Sequence, residues 1–393
     1  MFPELDVEIR PGVGLGQFEL GMLQTSISSE QCVDGMSLWT VLDLLRNDPH
    51  SFPQVDVKYD PDSPTTPVIL HLRPHLDLLF SGTYQRLHTI CMKKLQDPHP
   101  PATLRYNKAT LSSPNEVLRR VGVSRTFGPT YAGDDLRYPG VWFSFEDDSR
   151  GEPLNSGSPH PEDKIQEVKR VIVCQKTAGD EADDVLSEVR VCEAMLGDLE
   201  SAIIKVHDGL ILNFYPSSAP SVRIRIGITT AQDLICDLGS PVRVHYREDN
   251  RMTIHSKTKK EDIEIDSGYF YNYFQHGIDF LISGTTHVVK KIILHTNIPG
   301  TALFQRYKRC PWAIEGQPED DEDDTPPRKW FYDRFEAISH FLSPREIPPT
   351  MQLDRTDEED GLTLPSSTTK LLGFDGVVLE VTEAAHVVTV MLF

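Results

Sequence analysis

The sequence predicts an α+β fold made of divergent internal repeats, each a short helix packed on antiparallel strands that end in a β-hairpin. Three observations support it: four segments combine helical apolar spacing with start and stop signals, strand-like segments follow each of them, and two of the hairpins align in sequence. Apolar residues at helical spacing indicate an amphipathic helix, and internal self-similarity indicates repeats. A helix packed on an antiparallel sheet is an α+β arrangement.

The clearest predicted helix lies in TTAQDLICDLGSP, residues 229–241. Thr229 and Gln232 have the spacing of a capping box, and apolar residues recur at i, i+3, i+4 and i+7. Gly239 suits the left-handed position that ends a helix. A phosphate-binding loop at LGSP is the weaker interpretation, because carbonyl groups and not N–H groups point outward at the C-terminal end of a helix.

The same pattern occurs in three other segments: residues 36–49, 112–122 and 333–344. In the second of these, Ser113 and Glu116 have capping-box spacing and Pro114 suits the first helical position. Glycine or proline follows the apolar stripe in each segment, which predicts where each helix ends.

The strand-like segments after the helices predict β-hairpins. HLDLLFSGTYQRLHTICMK (75–93) aligns with GIDFLISGTTHVVKKIILH (277–295), so that Asp77 matches Asp279 and a Ser-Gly-Thr turn separates two runs. Units of the α-β-β-β type are therefore predicted in four places: about 36–95, 111–176, 227–296 and 333–393. The chain stops at Phe393 inside the last run, and we expect that strand to leave an unpaired sheet edge.

Polar segments divide the chain into predicted regions. These are residues 1–100 with a polar insertion at 23–35, residues 101–177 with an acidic loop at 145–165, residues 178–315 with the main motif block at 229–310, and residues 328–393. An acidic, proline-bounded segment at 316–327 is predicted to be a linker before the last region, since runs of like charge stay solvated.

Composition restricts the partners and the location. The chain has 393 residues and a formal net charge of -20. We expect no nucleic-acid partner, because nucleic-acid binding needs a basic field. MFPELDVEIR lacks the apolar core of a signal peptide, and no apolar run of about 18 residues is present. The apolar surroundings of Cys91, Cys174 and Cys236 predict reduced core cysteines and hence the cytosol.

No pattern for catalysis or cofactor binding stands out. The six cysteines lack zinc-ligand and disulfide spacing, and PGVGLG (11–16) is better explained as a tight turn than as a dinucleotide site. Most of the prominent histidines alternate with apolar residues and predict ordinary sheet positions: His71, His75, His88, His255, His276, His287 and His295. Without a nucleophile–base arrangement, we expect no enzyme activity, metal or cofactor.

YFYNYF, residues 269–274, is a candidate protein interface. Successive side chains of a strand face opposite ways, so Phe270 and Phe274 share one face with Asn272. The other face carries three tyrosines: Tyr269, Tyr271 and Tyr273. The phenylalanine face is expected beneath the helix. The tyrosine face suits either core packing in a second layer or a protein interface.

Basic residues gather in the third region despite the acidic total. They lie in a loop, in a hairpin and after that hairpin: Lys257, Lys259, Lys260, Lys290, Lys291, Arg306, Lys308 and Arg309. A solvated surface explains them, and the alternative is a patch for anionic lipid headgroups, to which each cation contributes about 1 kcal/mol. The acidic tract at 319–324 would then either shield the patch or keep the linker extended.

Beyond these patterns, QDLICDLGSPVRVHYREDNRMTIHS followed by YFYNYFQHGIDFLISGTTHVVKKIILHTNIPGTALFQRYKRC resembles the phagosome (phagophore) assembly factor family, long an uncharacterised eukaryotic family. The resemblance is dense over residues 229–310. It continues through GQFELGM (16–22), GVWFSF (140–145) and VKRVIVC (168–174).

The resemblance implies a non-enzymatic adaptor of autophagy. Such a protein is cytoplasmic and gathers at the phagophore assembly site, the preautophagosomal structure, in complex with a WD40 β-propeller partner. Contact with phosphoinositide membranes would run mainly through that partner. The alternative is a peripheral phosphoinositide-binding protein or a Golgi and vesicle-trafficking protein. The family provides no catalytic residues.

Overall fold

The computed structural model describes residues 5–20, 22–24, 31–33, 35–60, 63, 65–97, 101–130, 135–145, 166–175, 197–246, 268–316, 326–343, 348–354 and 368–393. The chain divides into two compact units, Met1–Leu196 and Gly197–Phe393. The described part of each unit contains mostly antiparallel strands and two short helices, consistent with the predicted α+β class. No helix in these residues has the length and apolarity to cross a membrane.

The first unit contains two helices, α1 (Leu38–Asn47) and α2 (Arg120–Phe127). Its strands are β1 (Leu5–Arg10), β2 (Gly14–Leu15), β3 (Phe18–Glu19), β4 (Met22–Gln24), β5 (Gln31–Val33), β6 (Val55–Lys58), β7 (Val68–Leu72), β8 (Leu76–Phe80), β9 (Leu87–Lys93), β10 (Ala102–Tyr106), β11 (Ala109–Ser112), β12 (Leu136–Tyr138), β13 (Val141–Ser144) and β14 (Arg170–Cys174).

Three sheets form from these strands. One has the order β3-β2-β1-β10-β11, in which β1 and β10 are parallel. The second has the order β6-β7-β8-β9-β14-β13-β12 and is antiparallel throughout. The third, β4 with β5, is a two-stranded sheet that begins one residue before the region predicted as an insertion, residues 23–35.

The second unit also contains two helices, α3 (Ala231–Leu238) and α4 (Phe335–Leu342). Its strands are β15 (Leu199–Lys205), β16 (Gly209–Phe214), β17 (Val222–Arg225), β18 (Arg243–Tyr246), β19 (Tyr269–Tyr273), β20 (Ile278–Ile282), β21 (Val289–His295), β22 (Trp312–Glu315), β23 (Arg328–Trp330), β24 (Thr350–Asp354), β25 (Thr368–Phe374), β26 (Val377–Val381) and β27 (Val387–Leu392).

These strands form two sheets. The five-stranded sheet has the order β17-β16-β15-β22-β23, with β15 and β22 parallel, which is the arrangement of the first unit. The eight-stranded sheet has the order β18-β19-β20-β21-β27-β26-β25-β24. The expected unpaired edge at the last strand is wrong, because β27 pairs with both β21 and β26.

Two predicted helix starts need correction. In α3 the capping residue is Thr230 with Asp233, because the Thr229 hydroxyl accepts a hydrogen bond from the Arg225 N–H at 2.9 Å instead. Residues 112–122 do not form one helix. Ser113 and Glu116 exchange two backbone hydrogen bonds of 3.0 Å, which close a turn, and the helix begins later at Arg120.

The core of the second unit lies on the α3 side of the eight-stranded sheet, and the tyrosines of YFYNYF belong to it. Tyr273 is fully buried and its hydroxyl donates to the Gly239 carbonyl at 2.9 Å, while Tyr269 is 9% exposed. The prediction of phenylalanine beneath the helix is therefore wrong. A buried tyrosine fits there because the helix end offers its hydroxyl an acceptor.

The cysteines only partly follow the prediction of core positions. Cys91 and Cys174 are half-buried thiols on strands, whereas Cys236 is exposed on α3. Cys310, which was not singled out, is fully buried, and burial raises the pKa of its thiol. Cys236 lies on the solvent side of α3, because the apolar stripe of this helix is narrower than the sequence suggests.

Candidate functional site

A cavity of about 440 Å³ lies in the second unit, on the sheet face opposite the tyrosines of β19. Its volume falls within the range of small-molecule sites. Side chains from β18, β19, β20, β21 and β27 form its floor, and residues 303–307 form a wall. We call it the sheet-face cavity.

Strand alternation determines which side chains reach this cavity. Arg243 lies opposite Asn272, and His245 lies opposite Phe270, in the β18–β19 pair. Because alternate residues face opposite ways, these four side chains share the cavity face. The pattern that buries the tyrosines of β19 therefore also presents two basic side chains, an amide and an aromatic ring to the cavity.

Asp279 is a buried carboxylate at the cavity floor. It accepts hydrogen bonds from Asn272 Nδ2 at 2.7 Å, from Tyr307 Oη at 2.6 Å and from His295 Nε2 at 3.0 Å. The rings of His295 and Tyr307 stack with centroids 3.7 Å apart. Since a buried charge is stable only when it is well paired, these four side chains act as one network. We call it the Asp279 network.

The electrostatics of the network keep the phenol of Tyr307 protonated. Burial raises the pKa of Tyr307 well above its ordinary value, and the charge of Asp279 raises it further. The positive charges of Arg306 and Arg243 act in the opposite direction. At neutral pH the hydroxyl is therefore a donor to Asp279, and two guanidinium groups act on the same end of the cavity.

Two residues that line the cavity each have a buried polar atom with no hydrogen-bond partner among the described residues: Nδ1 of His295 and Oγ1 of Thr389. The two residues face each other across β21 and β27 and are 5% and 1% exposed. The carboxylate of Asp279 only accepts, so Nε2 of His295 carries a hydrogen and Nδ1 is left over. Buried polar atoms are usually paired, so both require an explanation.

Thr389 and His295 do not form a hydrogen-bonded pair in the described structure. A hydroxyl nucleophile needs a hydrogen bond to its base, and Thr389 makes none to His295. In the described part of the chain, no group of three or more His, Cys, Asp or Glu side chains is placed to hold a metal ion. The cavity thus offers charge, hydrogen-bonding atoms and apolar walls.

Buried contacts hold the segment from 296 to 311 over the cavity. Arg309 Nε donates to the Thr296 carbonyl at 2.9 Å, and Trp312 Nε1 donates to Thr296 Oγ1 at 3.0 Å. Burial lowers the pKa of Arg309 to about 9, which leaves it protonated at neutral pH. Gly277 has φ +70, and a Cβ there would overlap the Lys308 carbonyl oxygen. Glycine is therefore required where this segment meets the β19–β20 turn.

The first unit carries a related but more exposed carboxylate. Asp77 on β8 lies 2.7 Å from His71 Nδ1 and 2.6 Å from Lys93 Nζ. Asp77 and Asp279 are the residues matched by the hairpin alignment, which was the sequence signal for the carboxylate of this site. Tyr307 and Thr389 gave no such signal, because Tyr307 meets Asp279 only through the loop and Thr389 lies opposite His295 only through strand pairing.

The predicted basic residues do not all reach one surface. Lys257, Lys259 and Lys260 lie outside the described residues. Arg309 is buried, and Lys308 forms an ion pair with Asp198 at 2.6 Å. Lys290 is exposed and Lys291 half-buried on β21, and Arg306 is exposed at the cavity. Lipid binding by these cations stays a prediction.

His276, which follows β19, predicts acid sensitivity. Burial lowers the pKa of this histidine to about 4, with a further contribution from Lys308. The unfolded chain, with an ordinary pKa near 6.5, therefore binds the proton first, and folding free energy is lost as pH falls from about 6.5 towards 4. The loss at pH 4.5 is expected to be about 2–3 kcal/mol.

His276→Phe keeps the ring and removes this proton. We expect urea unfolding at pH 7.5 and pH 4.5 to show that His276→Phe loses less folding free energy at the lower pH than the parent chain does. His340→Phe, at an exposed position of α4, is the control and should lose as much folding free energy at pH 4.5 as the parent chain. Equal acid sensitivity of the parent and His276→Phe would contradict the assignment.

Comparison with known proteins gives a family match over most of the chain. The family model described as "Phagosome assembly factor 1" matches residues 31–393. A PHAF1 protein of Arabidopsis thaliana is 26% identical, covering 98% of this chain and 92% of the relative. PHAF1 proteins of Caenorhabditis elegans (24% identical, 98% and 93% covered) and Drosophila melanogaster (26% identical, 99% and 94% covered) are also similar. No solved structure matches.

Proposed function

Because the chain belongs to the phagosome assembly factor 1 family, we propose that it is a non-enzymatic adaptor of autophagy. It acts in the cytoplasm and at the phagophore assembly site, where it joins a WD40 β-propeller partner. Its role is to present a binding surface, and the partner makes the main contact with phosphoinositide membranes.

The observation that carries this proposal is the exposed apolar edge of the eight-stranded sheet. Within the described residues β18 pairs only with β19, so it is an edge strand. Three apolar side chains on it or directly before it are at least 40% exposed: Val242, Val244 and Tyr246. Exposed edges and apolar patches of this kind are typical of protein-binding surfaces. We call it the β18 edge.

The chemistry of the β18 edge fits a partner built of strands. Backbone groups along an edge strand can pair with a strand of another protein, and alternate side chains then determine specificity. Val244 and Tyr246 share the face of Tyr271 and Tyr269, so a partner strand would meet a continuous apolar surface. A β-propeller is a partner built of strands, since each of its blades is a four-stranded sheet.

Co-purification tests the proposal. The tagged chain from starved cells should recover a WD40 protein, and Val244→Glu should reduce that recovery about tenfold, because a charge would have to be buried at the contact. Met351→Glu is the matched control, since Met351 is 61% exposed on β24 at the other edge of the sheet. Absence of any WD40 protein would defeat the adaptor proposal. Equal losses of WD40 recovery in both variants would contradict the assignment of the β18 edge as the binding surface.

Direct binding to phosphoinositide membranes, as in a Golgi or vesicle-trafficking protein, is the second candidate function. Exposed Lys290 and Arg306, in a chain of net charge -20, support it. The purified chain alone should then float with phosphoinositide vesicles, and charge reversal at Lys290 and Lys291 should abolish flotation. Vesicle binding that does not depend on phosphoinositide content, or that is unchanged by the charge reversal, would eliminate this candidate.

A further inference from the structure

We propose that the sheet-face cavity binds a small organic anion, in which a phosphate monoester or carboxylate group is attached to an apolar body. Three properties of the cavity carry the inference: its charge, its two unpaired polar atoms and its apolar walls. The site is separate from the β18 edge, because it uses the opposite face of the same strand.

The charge of the cavity selects an anion. Arg243 and Arg306 line it, and Asp279 is its only carboxylate among the described lining residues. That carboxylate is already satisfied by Asn272, His295 and Tyr307. The positive charge of this site is opposite in sign to the net charge of the chain, which is -20. Guanidinium groups are well suited to bind planar or tetrahedral oxyanions.

The unpaired atoms place the polar end of the ligand deep in the cavity. His295 and Thr389 line the cavity, and the buried Nδ1 and Oγ1 atoms of these residues have no partner in the described structure. The Thr389 hydroxyl can donate to an anionic oxygen. Nδ1 of His295 can accept from the acidic hydroxyl of a phosphate monoester. Binding would therefore satisfy both atoms.

The walls require an apolar part of the ligand. Phe270, Phe274, Leu303 and Met391 line the cavity beside the polar atoms, and none of them is fully exposed. Such walls stabilise a ligand body by removing apolar surface from water. A free inorganic anion would leave this surface wet, so the phosphate or carboxylate is expected to bind weakly without its apolar group.

Isothermal titration calorimetry on the full chain tests the proposal with four probes: phenyl phosphate, phenylacetate, inorganic phosphate and benzyl alcohol. One or both aromatic anions should bind at least tenfold more tightly than inorganic phosphate or the neutral alcohol. Arg243→Gln with Arg306→Gln should weaken that binding at least tenfold. Arg223→Gln, an exposed arginine on β17 of the same unit, should leave it unchanged.

Thr389→Val distinguishes a ligand site from a merely structural position. The variant should bind the anion several-fold more weakly, yet its thermal midpoint without ligand should equal or exceed that of the parent, because an unpaired buried hydroxyl is removed. No binding of either anion, or full binding by Thr389→Val, would overturn the proposal. Displacement of phenyl phosphate by phosphatidic-acid vesicles would also overturn it, since the anion would then be a lipid headgroup.

Discussion

Trp312→Ala is expected to lower the free energy of unfolding of the second unit by about 3–5 kcal/mol. Trp312 is fully buried on β22, opposite Ala202 of the parallel neighbour β15. Its replacement leaves a large cavity where two sheets and the segment after β21 meet. It also removes the donor to Thr296 Oγ1, which then remains buried without this hydrogen bond.

Urea unfolding followed by circular dichroism measures this effect. Trp312→Phe should lower the free energy of unfolding less than Trp312→Ala does, because phenylalanine keeps most of the side-chain volume although it loses the hydrogen bond. Trp330→Ala on the adjacent strand β23 is the control, since Trp330 is only half-buried and its loss should cost clearly less. A loss below about 1 kcal/mol for Trp312→Ala would contradict this account of the core.

Asp279→Ala is expected to destabilise the second unit by about 3 kcal/mol, because it leaves buried donors without an acceptor. The three donors are the amide of Asn272, the hydroxyl of Tyr307 and Nε2–H of His295. None of them gains access to water easily, since Asn272, Tyr307 and His295 are each less than 10% exposed.

A double-mutant cycle with Tyr307→Phe isolates the carboxylate–phenol contact, and a coupling of roughly 0.5–3 kcal/mol is expected for groups in one network. Asp77→Ala in the first unit is the matched control. Its side chain is 22% exposed and pairs with His71 and Lys93, so its removal should cost about 1 kcal/mol or less. Equal costs for the two aspartates would show that burial does not set the strength of the network.

The sequence predicted features that depend on local signals. Residues 231–238 form a helix that ends at Gly239, because their apolar spacing and the positive φ of that glycine are local properties. The matched Asp77 and Asp279 occupy equivalent strand positions for the same reason.

Features that depend on distant partners were not predictable. A period of two assigns the side chains of YFYNYF to two faces, but it does not say which face meets α3. The tyrosine face meets α3, because the Tyr273 hydroxyl donates a hydrogen bond to the Gly239 carbonyl at the end of that helix. The cavity was not predicted because Tyr307 meets Asp279, and Thr389 lies opposite His295, only in the folded unit. Single-sequence periodicity carries no information on pairing between distant strands.

Synthesis on the ribosome cannot complete the sheets of the second unit in chain order. β15 emerges roughly 110 residues before its parallel neighbour β22, and β21 emerges roughly 100 residues before β27, which fills the middle of the larger sheet. At translation rates of about 5–20 residues per second, each strand waits for roughly 5–20 s with one side unpaired. A chaperone that shields strand edges is therefore expected to associate with the nascent chain during this interval.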